Sequence, residues 1–174
     1  TFLKMISGLS KPTDGEIQMF GYRNEELKNV RSRISCLIEA PGIYGNMSAY
    51  HNLAIKCRLF GINDSKYIEN ILKIVGLSEV GKKKTKHFSL GMKQRLGIGL
   101  ALVENRIFLF WMSRSTVLDP QGIAEIRDML LRLKEEQNMT IIISSHILEE
   151  LSKIATHYGI IHNGSLIQEL TRED

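Results

Sequence analysis

The sequence has little cysteine, no long apolar run and no internal repeat. Its two thiols, Cys36 and Cys57, cannot form a disulfide framework. With no Cys-x-x-Cys pair they outline no zinc site, and a reducing compartment fits them best. No apolar stretch reaches the roughly 18 residues of a spanning helix. There is no initiator Met, signal peptide or targeting segment. The chain opens at Thr1 on what reads as the first turns of a helix, so something upstream is expected, and only five residues follow the last strand-like segment, Ser165 to Glu169. The charge is a mild +4. Lys82, Lys83, Lys84 and Lys86 form the one dense basic run, which reads as a solvated face. No aromatic platform or motif accompanies it to support a nucleic-acid partner, and none is expected. What is present is ordinary for a single globular domain: 174 residues, 43% hydrophobic and 24% charged.

Helical and strand-like segments alternate. Helices are expected over Phe2–Gly8, Ser48–Phe60, Ser65–Val75, Ser89 to about Glu104, Pro120 to about Gln137, and Ile147–Ala155. Serine or proline stands at several of their starts and glycine at several of their ends. Strands are expected over Glu16–Phe20, Arg33–Ile38, Ile107–Met112, Thr140–Ile143, Tyr158–His162 and Ser165–Glu169. The run Thr140-Ile141-Ile142-Ile143 reads as a buried strand of a parallel sheet. This order predicts an α/β domain with a mostly parallel sheet. About 48–102 reads as an inserted helical subdomain, with 1–47 and 103–174 forming the α/β core. Chemistry in such sheets lies beyond the carboxyl ends of the strands, which points to Glu39, the Met112–Arg114 turn and His146.

Three strings occur in order: Phe88-Ser89-Leu90-Gly91-Met92-Lys93-Gln94-Arg95, Leu118-Asp119-Pro120 and Ser144-Ser145-His146. With Ile38-Glu39-Ala40-Pro41-Gly42, the whole chain resembles the ATP-binding subunits of ABC transporters, most nearly the bacterial lantibiotic and bacitracin exporter type. The resemblance implies a P-loop NTPase-like fold, ATP and Mg²⁺ as cofactors, a second ATP-binding subunit, homo- or heterodimeric, and a membrane permease. It places the protein in the cytoplasm, peripheral on the inner face of the membrane. Ser89, Leu90, Gly91 and Met92 would open a helix whose amides and dipole meet the γ-phosphate held by the other subunit; a simple N-cap is the plainer alternative. His146 would hold the γ-phosphate and the attacking water, or cap the next helix. Asp119 would cross the dimer interface and also cap the helix at Pro120. Glu39 stands where most relatives carry a metal-touching glutamine, with a plain surface residue as the alternative. Thr1 would follow the metal-binding hydroxyl of the phosphate loop.

Two parts of that pattern are missing. The phosphate loop with its Lys and Ser/Thr, the N-terminal strands and the adenine platform do not occur in these residues. Met112 and Ser113 stand where the family places the Mg²⁺ aspartate and the general-base glutamate, and neither can replace a carboxylate. A frame slip would account for this. Trp111 and Met112 have single codons, TGG and ATG, which give GAT, an Asp codon, one base out of phase. With the final C of an AAC codon for Asn105, permitted codons for Arg106–Leu118 read in that phase as Pro-Asn-Phe-Leu-Ile-Leu-Asp-Glu-Pro-Ile-Asn-Gly-Leu. Exchanging Arg106 and Arg114 for one Asp and one Glu would lower the net charge from +4 to 0. Genuine drift in a non-hydrolysing subunit is the rival. Two other function classes stay open: a catalytically dead regulatory or interaction module, and a soluble ABC ATPase acting on ribosomes or DNA ends.

Overall fold

The computed structural model describes residues 2–38, 41–104, 108–112, 120–145 and 148–173. The chain starts with α1 (Phe2–Ile6), which ends at Gly8, in the left-handed region at φ +82°. Strands β1 (Gln18–Met19) and β2 (Tyr22–Arg23) pair antiparallel. A 3-10 turn (Asn24–Glu26) and α2 (Leu27–Arg31) lead into β3 (Ile34–Ile38). Then come α3 (Ala49–Leu59), α4 (Ser65–Ile74), 3-10 turns at Ser78–Val80 and Thr85–His87, and α5 (Leu90–Leu102). The remainder is β4 (Phe108–Met112), α6 (Pro120–Glu136), β5 (Thr140–Ser144), α7 (Leu148–Ser152), β6 (His157–His162) and β7 (Ser165–Thr171).

The central sheet is parallel, in the order β3-β4-β5. Its register puts Ile38, Met112 and Ser144 side by side at the carboxyl edge. The strands β6 and β7 form a separate antiparallel hairpin with a register shift at Ile160/Ile161. Its turn uses Asn163 and Gly164, both at positive φ (46° and 85°), the geometry favoured in two-residue hairpins.

One large core joins the helices to the sheet. Leu53, Leu96, Ile98, Val103 and Leu130 are each fully buried in it, alongside Leu37 of β3. Each such side chain contributes about 1.5–3 kcal/mol. Residues of α3 to α5 share this core with α6 and Met139. A smaller cluster gathers Leu3, Ile34, Ile6, Met19, Phe20 and Ile142.

The structure departs from the sequence expectations in four places. The strand expected over Glu16–Phe20 is a short hairpin, because Phe20 and Gly21 both adopt positive φ (54° and 84°) and turn the chain. The Phe20 ring is held under Arg33, whose guanidinium carbon lies 4.2 Å from the ring centroid. Helix α2 was not anticipated; two buried residues, Leu27 and Val30, hold its five-residue span. Ile141, Ile142 and Ile143 are only half-buried, since β5 has β4 as its one neighbour among the described residues. Finally, α7 covers Leu148–Ser152, shorter than expected.

Candidate functional site

Helix α5 is held along its length. At its start Ser89 is extended (φ −62°, ψ 165°), and its Oγ accepts the Met92 amide at 3.2 Å. The Lys93 amide bonds the Ser89 carbonyl at 3.0 Å. A helix leaves its first amides without intrahelical acceptors, so with Met92 capped by Ser89, Leu90 and Gly91 direct theirs off the helix end. Ser89 and Leu90 are exposed and Gly91 and Met92 half-buried. This end suits an anion in charge and geometry.

The middle of α5 explains two glycines that helix propensity disfavours. A Cβ on Gly97 would lie 2.6 Å from Pro41 Cβ and 3.1 Å from both Leu37 methyls. A Cβ on Gly99 would meet Ile71 and Val75 at 3.3–3.5 Å. The two glycines thus bring α5 close to the sheet and to α4. At the far end, carbonyls that lack helical partners are taken by side chains. Ser35 Oγ donates to Ala101 O (2.7 Å), and Tyr67 Oη donates to Val103 O (3.0 Å). Burial, then the neighbouring Cys57, raises the Tyr67 phenol above its ordinary range and keeps it a donor. Arg95 reaches the Gly76 carbonyl (3.1 Å) and the Glu125 carboxylate (3.4 Å), tying α5 to the end of α4 and to α6.

Of the residues expected at the site, Ser89, Leu90, Gly91 and Met92 therefore lie together on one helix start. Met112 ends β4, at the carboxyl edge between Ile38 and Ser144. Thr1, Glu39, Ser113, Asp119 and His146 lie outside the described residues. Among the described residues there is no group of three or more His, Cys, Asp or Glu placed to hold a metal. A thioether at Met112 is too soft a donor for Mg²⁺, and the neutral hydroxyl of Ser113 supplies neither the charge nor the basicity of a carboxylate. The residues as they stand do not fit that ion. The other histidines have ordinary settings. His51 Nδ1 lies 2.8 Å from Ser48 Oγ, His157 Nδ1 lies 3.1 Å from Thr156 Oγ1, and His87 and His162 are exposed. Lys82, Lys83, Lys84 and Lys86 are exposed, as a solvated run should be.

A cavity of about 470 Å³ opens between α3 and α4, lined by Met47, Tyr50, His51, Arg58, Asp64 and Ile68 among others. It lies beside the loop that leaves β3, not at the Ser89 end.

The family model described as ABC transporter matches residues 1–111. The chain belongs to the ABC transporter family. It is 43% identical over 173 residues to the bacitracin transport ATP-binding protein BcrA of Bacillus licheniformis, covering 98% of this chain and 56% of that protein. It is 39% identical over 169 residues to the lantibiotic transport ATP-binding protein SrtF of Streptococcus pyogenes, covering 97% of this chain and 72% of that one. Its fold matches the ATP-binding cassette MJ0796, solved as a dimer bound to ADP and Pi, with a TM-score of 0.81 at 22% identity, covering 98% of this chain and 79% of that one. The architecture is thus the α/β, P-loop NTPase-like fold of the ABC family. The chain spans about half the length (56%) of the bacitracin relative. Among the described residues no helix is long and apolar enough to cross a membrane.

Sequence reasoning missed Asn52 and Thr85, which hold the segments before α5, and Arg95, which ties α5 to α4 and α6. Asn52 and Thr85 are buried and hydrogen-bonded to loop backbone, Thr85 from 41 positions away. Their sequence signal is slight, a polar residue inside an apolar helix face and a threonine within a lysine run.

Proposed function

We propose that this chain acts within an ABC-type exporter as part of an ATP-binding subunit, in the cytoplasm on the inner face of the membrane. Two subunits would close face to face, and the start of α5 would cover the nucleotide held by the other. The observation that carries this reading is the capped helix start, Ser89 to Met92, with the amides of Leu90 and Gly91 left for an anion. The γ-phosphate is the anion proposed, supported by membership of the family. His146 would hold that phosphate and the attacking water, Asp119 would cross the interface, and Thr1 would adjoin the phosphate loop.

Met112 and Ser113 stand in place of both carboxylates, so the chain should complete a partner's site without turning over ATP itself. Hydrolysis in the mixed pair would rest on the partner's groups. The frame-slip reading is part of the proposal. The family match ends at Trp111, within the segment 106–118 that the slip would cover. Residues about 48–102 are proposed as the helical subdomain. The loop following Glu39 and the adjoining cavity would receive a membrane permease, with bacitracin- or lantibiotic-like peptides as cargo by likeness to the relatives.

ATPase activity tests this with the purified chain alone and mixed with intact BcrA of B. licheniformis. The chain alone should be inactive. The mixture should show turnover that falls on replacing Ser89 or Gly91 in this chain. Clear turnover by the chain alone would refute the deficiency. A mixed rate indifferent to Ser89 and Gly91 would refute the shared site.

A further inference from the structure

We infer that Asn52 and Thr85 are positioning residues: they strap the loop 41–48 to the start of α5, so that the two move as one piece. Both side chains are buried, at 2% and 0% exposure. Asn52 Nδ2 donates to the carbonyls of Tyr44 (3.2 Å) and Ser48 (2.9 Å), and its Oδ1 accepts the Tyr44 amide (2.7 Å). Thr85 Oγ1 donates to the same Tyr44 carbonyl from the opposite segment, at 3.0 Å. Two backbone bonds complete the strap. The Thr85 amide donates to Met47 O and the Lys86 amide to Gly45 O, each at 2.9 Å. A bridge between Ser48 and Lys84 extends the pairing by one step.

The geometry gives the strap two ends. Tyr44 and Met47 are exposed, at 58% and 39%, and form the handle. At the other end Thr85 starts a 3-10 turn closed by the Phe88 amide on Thr85 O (3.1 Å), and Ser89 follows at once. Phe88 is anchored in the main core at 5% exposure, so this short connection has little slack. A push on Tyr44 or Met47 therefore reaches Ser89 through hydrogen bonds rather than through a flexible linker. Buried polar groups with all partners in place rigidify a segment, and removing one partner leaves the other's desolvation uncompensated. Transmission between the permease and nucleotide contacts rests on the function proposed above; the mechanical unity of the two segments does not.

Native-state hydrogen exchange in low urea tests the strap on the 174-residue chain. In the unaltered chain the amides of Tyr44, Thr85, Lys86, Met92 and Lys93 should open together, with one urea dependence. In Thr85→Val, which keeps the shape and removes the hydroxyl, Tyr44, Thr85 and Lys86 should exchange about tenfold faster. They should also separate from Met92 and Lys93. Thr85→Ser should restore the joint opening. Slow exchange at Leu96 and Leu130 reports that each variant is folded, and Thr85→Ser carries the comparison if Thr85→Val is not. Separate openings in the unaltered chain, or a joint opening indifferent to the hydroxyl, would overturn the inference. A strap that passes while the mixed ATPase assay fails would sink the proposed function and leave the strap standing.

Discussion

Gly97→Ala should destabilise the protein, although alanine is the better helix former. The new Cβ would sit 2.6 Å from Pro41 Cβ and 3.1 Å from both Leu37 methyls. Carbon atoms pack best at about 3.5–4.0 Å, so the Pro41 contact overlaps by roughly 1 Å. Pro41 Cβ belongs to a ring and cannot rotate away, so α5 must shift or the loop must yield. Overpacking of this kind costs about 1–3 kcal/mol. The helix gains about 1 kcal/mol from losing a glycine. The net is a loss of up to about 2 kcal/mol, or a Tm lower by up to about 8 °C in a chain of this size. Gly99→Ala is the internal control. Its Cβ would touch methyl groups of Ile71 and Val75 at 3.3–3.5 Å, which can give by a few tenths of an ångström. There the propensity gain should leave Tm unchanged or raised by up to about 4 °C. Circular dichroism melts of both variants beside the parent measure the difference. A Gly97→Ala protein more stable than the parent, the direction expected of Gly99→Ala, would refute the claim that this glycine sets the approach of α5 to the sheet.

Other outcomes follow from the same structure. Ser89→Ala should lower stability by about 1 kcal/mol through the lost cap, read as a reduced denaturation midpoint; no change would mean that Oγ does not hold the Met92 amide. Cys36, exposed as a residue, has a thiol that burial pushes up to about 11. Its reactive thiolate stays scarce below that value, so its alkylation rate should keep climbing through pH 9 and level off only near pH 11; a plateau at pH 9 would contradict the assignment. Ile161, Leu166 and Ile167 expose 54%, 54% and 61% of their surface on a hairpin outside the central sheet. The chain should therefore self-associate at high concentration, and Ile161→Lys with Leu166→Lys should reduce this in light scattering. Sequencing the coding DNA should give codons for 106–118 that encode Asp-Glu-Pro one base out of phase; codons unable to do so would end the frame-slip reading.

Much of the fold is legible in the sequence because its signals are local. Ser48, Ser89 and Pro120 stand at helix starts, and glycines follow α1 and α4. The apolar runs of β4 and β5 prescribe a parallel sheet, and the family strings locate the start of α5. What escapes is non-local. Nothing in Gly97 announces Pro41, fifty-six positions earlier. Asn52 and Thr85 serve the backbone of Tyr44, and backbone partners leave no residue pattern to read. The hairpin turn at Phe20-Gly21 uses a residue that rarely takes positive φ. The half-buried state of Ile141 to Ile143 depends on which strands flank β5, a property of the whole sheet rather than of that segment.

The central claim is that the start of α5 meets a triphosphate held by another subunit. An ATP analogue with a photoreactive group on its γ-phosphate, loaded onto intact BcrA of B. licheniformis and mixed with this chain, measures it directly. Label mapped by mass spectrometry should fall on the peptide containing Ser89 to Met92, and excess ATP should remove it. Label confined to BcrA, or falling elsewhere on this chain, would contradict the account.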